Sequence, residues 1–257
     1  MIHQIKHLIQ GRKNRPIFVI GTGRSGTHWL GETLGTHPEI RATIEGKPIF
    51  DWSRDMAMNP ATRPELMPKL IKAYGRQLLR SAPRHYLDKS HPNIWIAEDL
   101  LAAFPDALFL AIERNPFATV ASMLKHKMVA SWHQKWREFP IPNEFLGIDE
   151  ETAKVYDSLP LPAQCALRWV SHRKRMQFLR GKLGASLHHI QYESFAANAR
   201  GEMERLQKFL GLQHPIAVPD VKVESLAKWK AQFKPEEIEA ISRVVGFTPE
   251  TMPAEMR

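Results

Sequence analysis

A chain of 257 residues has room for one large α/β domain, and a composition of 43% apolar and 25% charged residues is that of a globular protein, not of a disordered tail. Its 36 lysines and arginines against 27 acidic residues make it basic, which suits either a nucleic-acid surface or an enzyme for an anionic small molecule. The single cysteine, Cys165, excludes an intrachain disulfide, and no apolar run approaches the roughly 18 to 20 residues of a membrane span.

From Met1 to Arg15 the sequence alternates His, Lys and Arg with Ile and Leu. It lacks the continuous apolar core of a secretion signal, so residues 1–14 read as a basic extension with a short surface helix, on a cytoplasmic protein. Residues 15–257 read as the single domain. Pro16–Ile20 is a short apolar run ending at Gly21, the pattern of a buried parallel strand, and Thr27–Leu34 follows as a helix. Leu66, Leu70, Ala73 and Leu78 predict a helix over Pro64–Leu79, behind a proline suited to a first turn. Tyr86–Asp88 predicts a second strand and Asn93–Ala103 a helix. Ala107–Ile112 predicts a third strand, and Phe117, Val120, Ala121 and Leu124 mark the helix behind it.

Residues 127–161 carry prolines and aromatics without sustained periodicity and read as an acceptor-side loop or lid, with Trp132, Trp136 and Phe145 either stacking on a ligand or packing into the lid itself. A helix is predicted from Ala163 to Leu179, with the stripe Cys165, Trp169, His172, Met176 and Leu179. Leu187–Gln191 is the fourth predicted strand, and a helix from Phe195 to Leu210 stops at Gly211. No internal repeat or flexible linker interrupts this order. Alternating strands and helices imply one α/β domain, a mainly parallel central sheet flanked by helices. Ligands of such sheets sit beyond the carboxyl ends of the strands.

The segment Gly21-Thr22-Gly23-Arg24-Ser25-Gly26-Thr27-His28-Trp29 lies at such an end. A strand, a glycine-rich turn and a helix N-terminus together form an anion cradle. The spacing of Gly21 and Gly26 matches the first half of a triphosphate P-loop, but Thr27 and His28 stand where that motif needs Lys and Ser/Thr, and the cation moves into the turn at Arg24. ATP- or GTP-hydrolysing machinery is disfavoured, while a plain strand–turn–helix connection stays open.

Pro16 to Thr27 resembles the 5′-phosphosulfate loop of the sulfotransferase superfamily. The continuation through Leu34, His37-Pro38 and Arg41 to Glu45 is most similar to the tyrosylprotein and carbohydrate branch, with His28 where a second threonine is usual. This resemblance implies that 3′-phosphoadenosine 5′-phosphosulfate (PAPS) is the donor and PAP the product, with no metal. It assigns cofactor contacts to Gly23, Arg24, Ser25, Gly26, Thr27, His28 and Trp29, the last where cytosolic sulfotransferases pack a tryptophan on the adenine. Arg114-Asn115-Pro116 with Ser122 resembles the family's 3′-phosphate site, and arginine suits multidentate phosphate contact. Tyr192, in His189 to Phe195, resembles a late-strand tyrosine that reaches the cofactor in some members.

Sulfuryl transfer needs in-line alignment, a general base for the acceptor and cations for the leaving group. The resemblance makes Glu45 the first candidate base. His91 in Lys89-Ser90-His91 is the second, matching the Lys-Thr-His segment of cytosolic sulfotransferases. Arg24 and Lys89 are expected to neutralise the bridging oxygen and the transferring group. The expected acceptor is a small molecule, glycan or peptide bearing a hydroxyl or amine, with no nucleic acid as partner. Two other classes stay open: a P-loop-type kinase or nucleotide-binding protein needing magnesium, and a non-catalytic basic module that binds nucleic acid by charge.

Overall fold

Phe18 and Ile20 enter one apolar cluster and Ile17 and Val19 another, and all four side chains are fully buried. A strand buried on both faces belongs in the middle of a covered sheet. The computed structural model, which describes residues 14–218 and 226–256, places it there. The expected N-terminal helix lies outside the described residues.

Five strands, β1 (Pro16–Gly21), β2 (Ile40–Ile44), β3 (His85–Lys89), β4 (Leu108–Glu113) and β5 (Leu187–Gln191), form one sheet in the order β2-β3-β1-β4-β5. Every pairing is parallel. The helices are α1 (Thr27–Gly35), α2 (Ile49–Met58), α3 (Arg63–Ser81), α4 (Ala97–Ala103), α5 (Pro116–Leu124), α6 (Lys127–Gln134), α7 (Glu150–Val155), α8 (Leu161–Leu183), α9 (Tyr192–Ala197), α10 (Ala199–Leu210) and α11 (Pro235–Val245). Leu30 and Leu34 of α1 pack with Met203, Leu206 and Leu210 of α10 on one face of the sheet. On the other face, Met56 of α2, Leu70, Tyr74 and Leu78 of α3 and Leu100 of α4 bury Phe18 and Phe109. A third cluster joins α5, α8 and α11, where Phe117 stacks on Trp229 with centroids 4.9 Å apart.

The α/β class and the parallel sheet agree with the sequence-based expectation; several element details differ. β2 was not anticipated. It is a short edge strand pairing only with β3, and its residues after Ile40 are partly or fully exposed, so its apolar signal is weak. The helix expected at Asn93 starts at Ala97, because a 3₁₀ turn occupies His91–Trp95. The helix expected over Phe195–Leu210 is two helices, since Asn198 accepts a hydrogen bond from Gly201 N–H and caps a fresh start. Segment 127–161 holds α6 and α7. Among the described residues no helix is long and apolar enough to cross a membrane.

Register is what assembles the site. Gly21 lies opposite Ile112, Lys89 opposite both Val19 and Ile44, and Glu113 opposite Gln191. The five strands therefore end near one level, and the residues that follow them gather along one sheet edge.

Candidate active site

At that edge a cavity of about 490 Å³ opens, lined from every strand end. The β1–α1 turn contributes Gly23, Arg24, Gly26, Thr27, His28 and Trp29; Glu45 follows β2, Lys89 ends β3, and His91 lies just beyond. Arg114 follows β4, Ser122 stands on α5 and Tyr192 opens α9. Of the residues expected to hold the donor, Ser25 alone is absent from this lining. Its buried hydroxyl donates to the carbonyls of Thr22 (2.6 Å) and Ile112 (3.2 Å), tying the turn to β4.

The turn is shaped for an anion. Gly26, at φ 100°, precedes α1 without a side-chain cap, and the first turn carries no acidic residue, so the helix N-terminus keeps its positive field. A Cβ on Gly26 would stand 2.8 Å from Tyr192 Cδ2, so the loop and the aromatic ring fit only with glycine there. Tyr192 in turn carries the Arg114 guanidinium 4.4 Å above its centroid and meets Trp29 edge-on at 6.1 Å. Trp29 is half-buried and packs at 4.7 Å on Phe195, so one edge belongs to the core and the rest borders the cavity. Arg24 Nε donates to Ser122 Oγ at 3.2 Å across the mouth. His28 is turned outward to pair with Glu32 at 3.1 Å.

Glu45, Lys89 and His91 form one cluster. Lys89 Nζ is ion-paired with Glu45 Oε1, and His91 Nδ1 lies 3.6 Å from the same oxygen. The Glu45 amide donates to the Lys89 carbonyl at 2.9 Å, which fixes the carboxylate to the sheet edge. Burial opposes ionisation of Glu45, but the neighbouring His91 ring and the Lys89 ammonium outweigh it and hold the pKa at about 2. Burial pushes His91 down to about 4, and it also lowers Lys89 while Glu45 works the other way. At neutral pH the carboxylate is charged and the imidazole neutral. Exposure separates the two candidate bases: the Glu45 side chain is 35% exposed and that of His91 is 7%. Among the described residues, the non-glycine residues with left-handed backbone are Arg24 (φ 76°) and Glu45 (φ 49°), and both line the cavity.

The profile of the Sulfotransferase family matches residues 16–215, most of the chain. The chain belongs to the sulfotransferase family. Over 218 residues it is 25% identical to human heparan sulfate glucosamine 3-O-sulfotransferase 3A1, a stretch that takes in 81% of this chain and 47% of that one. The chain thus spans about half the length of the curated relatives it matches. Two solved structures share the fold. The sulfotransferase domain of the Synechococcus PCC 7002 olefin synthase superposes with TM-score 0.57 at 15% identity, over 92% of this chain and 96% of that one. Mouse sulfotransferase SULT7A1, complexed with PAP, superposes with TM-score 0.52 at 16% identity, over 93% and 84%.

Three features of the cavity lie outside the family motifs. Arg168 of α8 lines the cavity while fully buried. The signal was present: the stripe Cys165, Trp169, His172 predicts a buried face, and Arg168 lies on it four residues before His172. His126, half-buried between α5 and α6, lines the cavity too, its pKa drawn down by burial and then by Arg24. Phe50 of α2 forms part of the wall. Of the three aromatics considered in the lid, Trp132 lines the cavity, whereas Phe145 and Trp136 are buried beneath it, Trp136 donating to Asp157 at 2.8 Å. Arg41 points away, donating to the Arg80 carbonyl at 3.1 Å.

Proposed function

We propose that the protein transfers a sulfuryl group from PAPS to an acceptor hydroxyl or amine, within a single domain spanning residues 15–257. The supporting observation is that the phosphosulfate-type loop, the Arg114–Ser122 pair and the Lys89–Glu45–His91 cluster, distant in sequence, line one cavity. The residues fit the donor. The uncapped N-terminus of α1 with Arg24 suits the 5′ end, Arg114 and Ser122 suit a 3′-phosphate, and the half-buried Trp29 suits an adenine.

PAPS, when bound, supplies the activated sulfuryl group. Glu45 accepts the acceptor's proton as the acceptor oxygen or nitrogen bonds to sulfur and the bond to the bridging oxygen breaks, the electron pair leaving with PAP. Lys89 and Arg24 offset the charge that grows on that oxygen. Glu45 is the better placed base because Oε1 carries the Lys89 and His91 contacts and the side chain reaches the cavity, whereas His91 is nearly closed off on both ring nitrogens.

Calorimetric titration with PAP in excess chelator, followed by transfer assays with labelled PAPS over sugars, phenols, lipids and peptides, tests this reading. The expected result is metal-independent PAP binding, with transfer lost in Arg24→Ala and Lys89→Ala. Magnesium-dependent ATP binding with no affinity for PAP would overturn it in favour of a kinase-like protein.

A further inference from the structure

Arg168 is a buried cation with too little to hold. Its side chain is 0% exposed, and among the described residues no carboxylate pairs with it. Nε and Nη1 are buried without a hydrogen-bond partner, and Nη2 has only His91 Nε2, at a long 3.4 Å. The rest of its surroundings are aromatic faces: its Cζ lies 4.6 Å from the Phe145 centroid and 5.2 Å from that of Trp132.

The titratable groups around it have given up charge. His91, His133 and His172 are each held below their ordinary range by burial, with Arg168 adding to the effect. A guanidinium taken from water without a partner costs several kcal/mol, so native proteins match such a charge with an opposite one. Here the opening beside it is the cavity it lines. The donor's charges already have Arg24, Lys89, Arg114 and the α1 N-terminus. Arg168 stands beside His91, the Trp132 and Phe145 rings and, through Nη2, the Gly23 backbone, while Phe50 and Val129 line the same cavity, which supplies walls for an apolar or aromatic body.

We propose that Arg168 is the anion-binding subsite for the acceptor, and that the acceptor is a compact hydroxyl or amine compound carrying a carboxylate, sulfate or phosphate on a flat apolar frame. The compactness follows from the cavity, whose 490 Å³ is shared between donor and acceptor. This inference rests on the sulfotransferase reading for the reaction itself, while the anion preference is readable in binding alone.

The test uses the full chain saturated with PAP, titrated with 4-hydroxybenzoate, 4-hydroxyphenyl phosphate and the neutral isostere 4-hydroxybenzamide. The wild type is expected to favour the anions over the amide by roughly 10- to 100-fold, the range of a charge-assisted hydrogen bond. Arg168→Met, close in shape but uncharged, is expected to abolish the preference and to melt above the wild type, since it no longer buries an unpaired charge, and Arg168→Lys to keep part of the preference; in both, PAP affinity stays near wild type. Equal binding of acid and amide by the wild type overturns the proposal without any variant. So does a loss of PAP affinity in Arg168→Met that matches the loss of the anions, since it would place the anion on the donor. Failure of the wild type to bind PAP, with the anion preference intact, would sink the donor assignment instead.

Discussion

Glu45 holds a charge, a strained backbone and an ion pair at one position. Its left-handed φ of 49° costs on the order of 1 to 3 kcal/mol for a non-glycine residue, yet the amide bond to Lys89 and the ion pair keep it there. The consequence is a carboxylate ionised well below neutral pH, with its basicity restrained until Lys89 has another anion to serve. Glu45→Gln should lower kcat by about 10²- to 10⁴-fold, the usual worth of a general base, while PAP affinity in titrations changes little. His91→Ala should cost less. With His91 at about 4 and Glu45 at about 2, both are unprotonated above pH 5, so kcat/KM should stay level from pH 8 to 5 and fall only below that. An acid limb centred near 6.5 would instead mark an unperturbed histidine as the base. Full activity in Glu45→Gln would remove Glu45 from the role.

The β1–α1 turn works only with its neighbours in register. Gly26 has both a left-handed backbone and no room for a Cβ beside Tyr192, so Gly26→Ala should weaken PAP binding by about 5- to 150-fold, given 1–3 kcal/mol of strain. Adding Tyr192→Ala relieves the clash but not the backbone, so calorimetry should show no return to wild-type affinity; complete rescue would mean that sterics alone set the requirement. Elements with strong periodicity or a fixed motif were legible in the sequence. β1 and β4 are runs of apolar residues between turn signals, and the turn itself carries its glycines in order. β2 was missed although Ile40, Ala42 and Ile44 alternate with Arg41 and Thr43, because five residues make too short a run for the alternation to stand out. α2 does carry a pattern in Ile49, Phe50, Met56 and Ala57, but it is short and interrupted by Asp51, Arg54 and Asp55. Of the cavity's lining, the motif residues were legible in the sequence and Arg168 was not. Motifs mark the residues proposed to hold the donor, whereas a lone arginine on a buried stripe belongs to no motif that would single it out.

At the scale of the whole molecule, the buried ionisable groups pull stability in opposite directions with pH. His91 at about 4, His133 at about 3 and His172, well below its ordinary value, are all depressed by burial. The unfolded chain therefore binds more protons than the folded one below about pH 6.5, and stability rises with pH up to that point. Asp88 does the reverse. It is a fully buried residue of β3, accepts hydrogen bonds from Tyr74 (2.9 Å) and Asn93 (3.1 Å), and burial pushes it up to about 7. Its contribution is complete below the unfolded value near 4 and is lost as pH climbs through 7. Asp88→Asn keeps an acceptor for Tyr74 and Asn93 and removes the ionisation. Measured by urea unfolding at several pH values, the variant should gain on the wild type between about pH 4 and 7, by on the order of a few kcal/mol, and the difference should level off above pH 7. The comparison cancels the histidines, which both proteins share. A difference that stays constant across that window would mean that Asp88 does not titrate there, and the alkaline loss of stability would need another source.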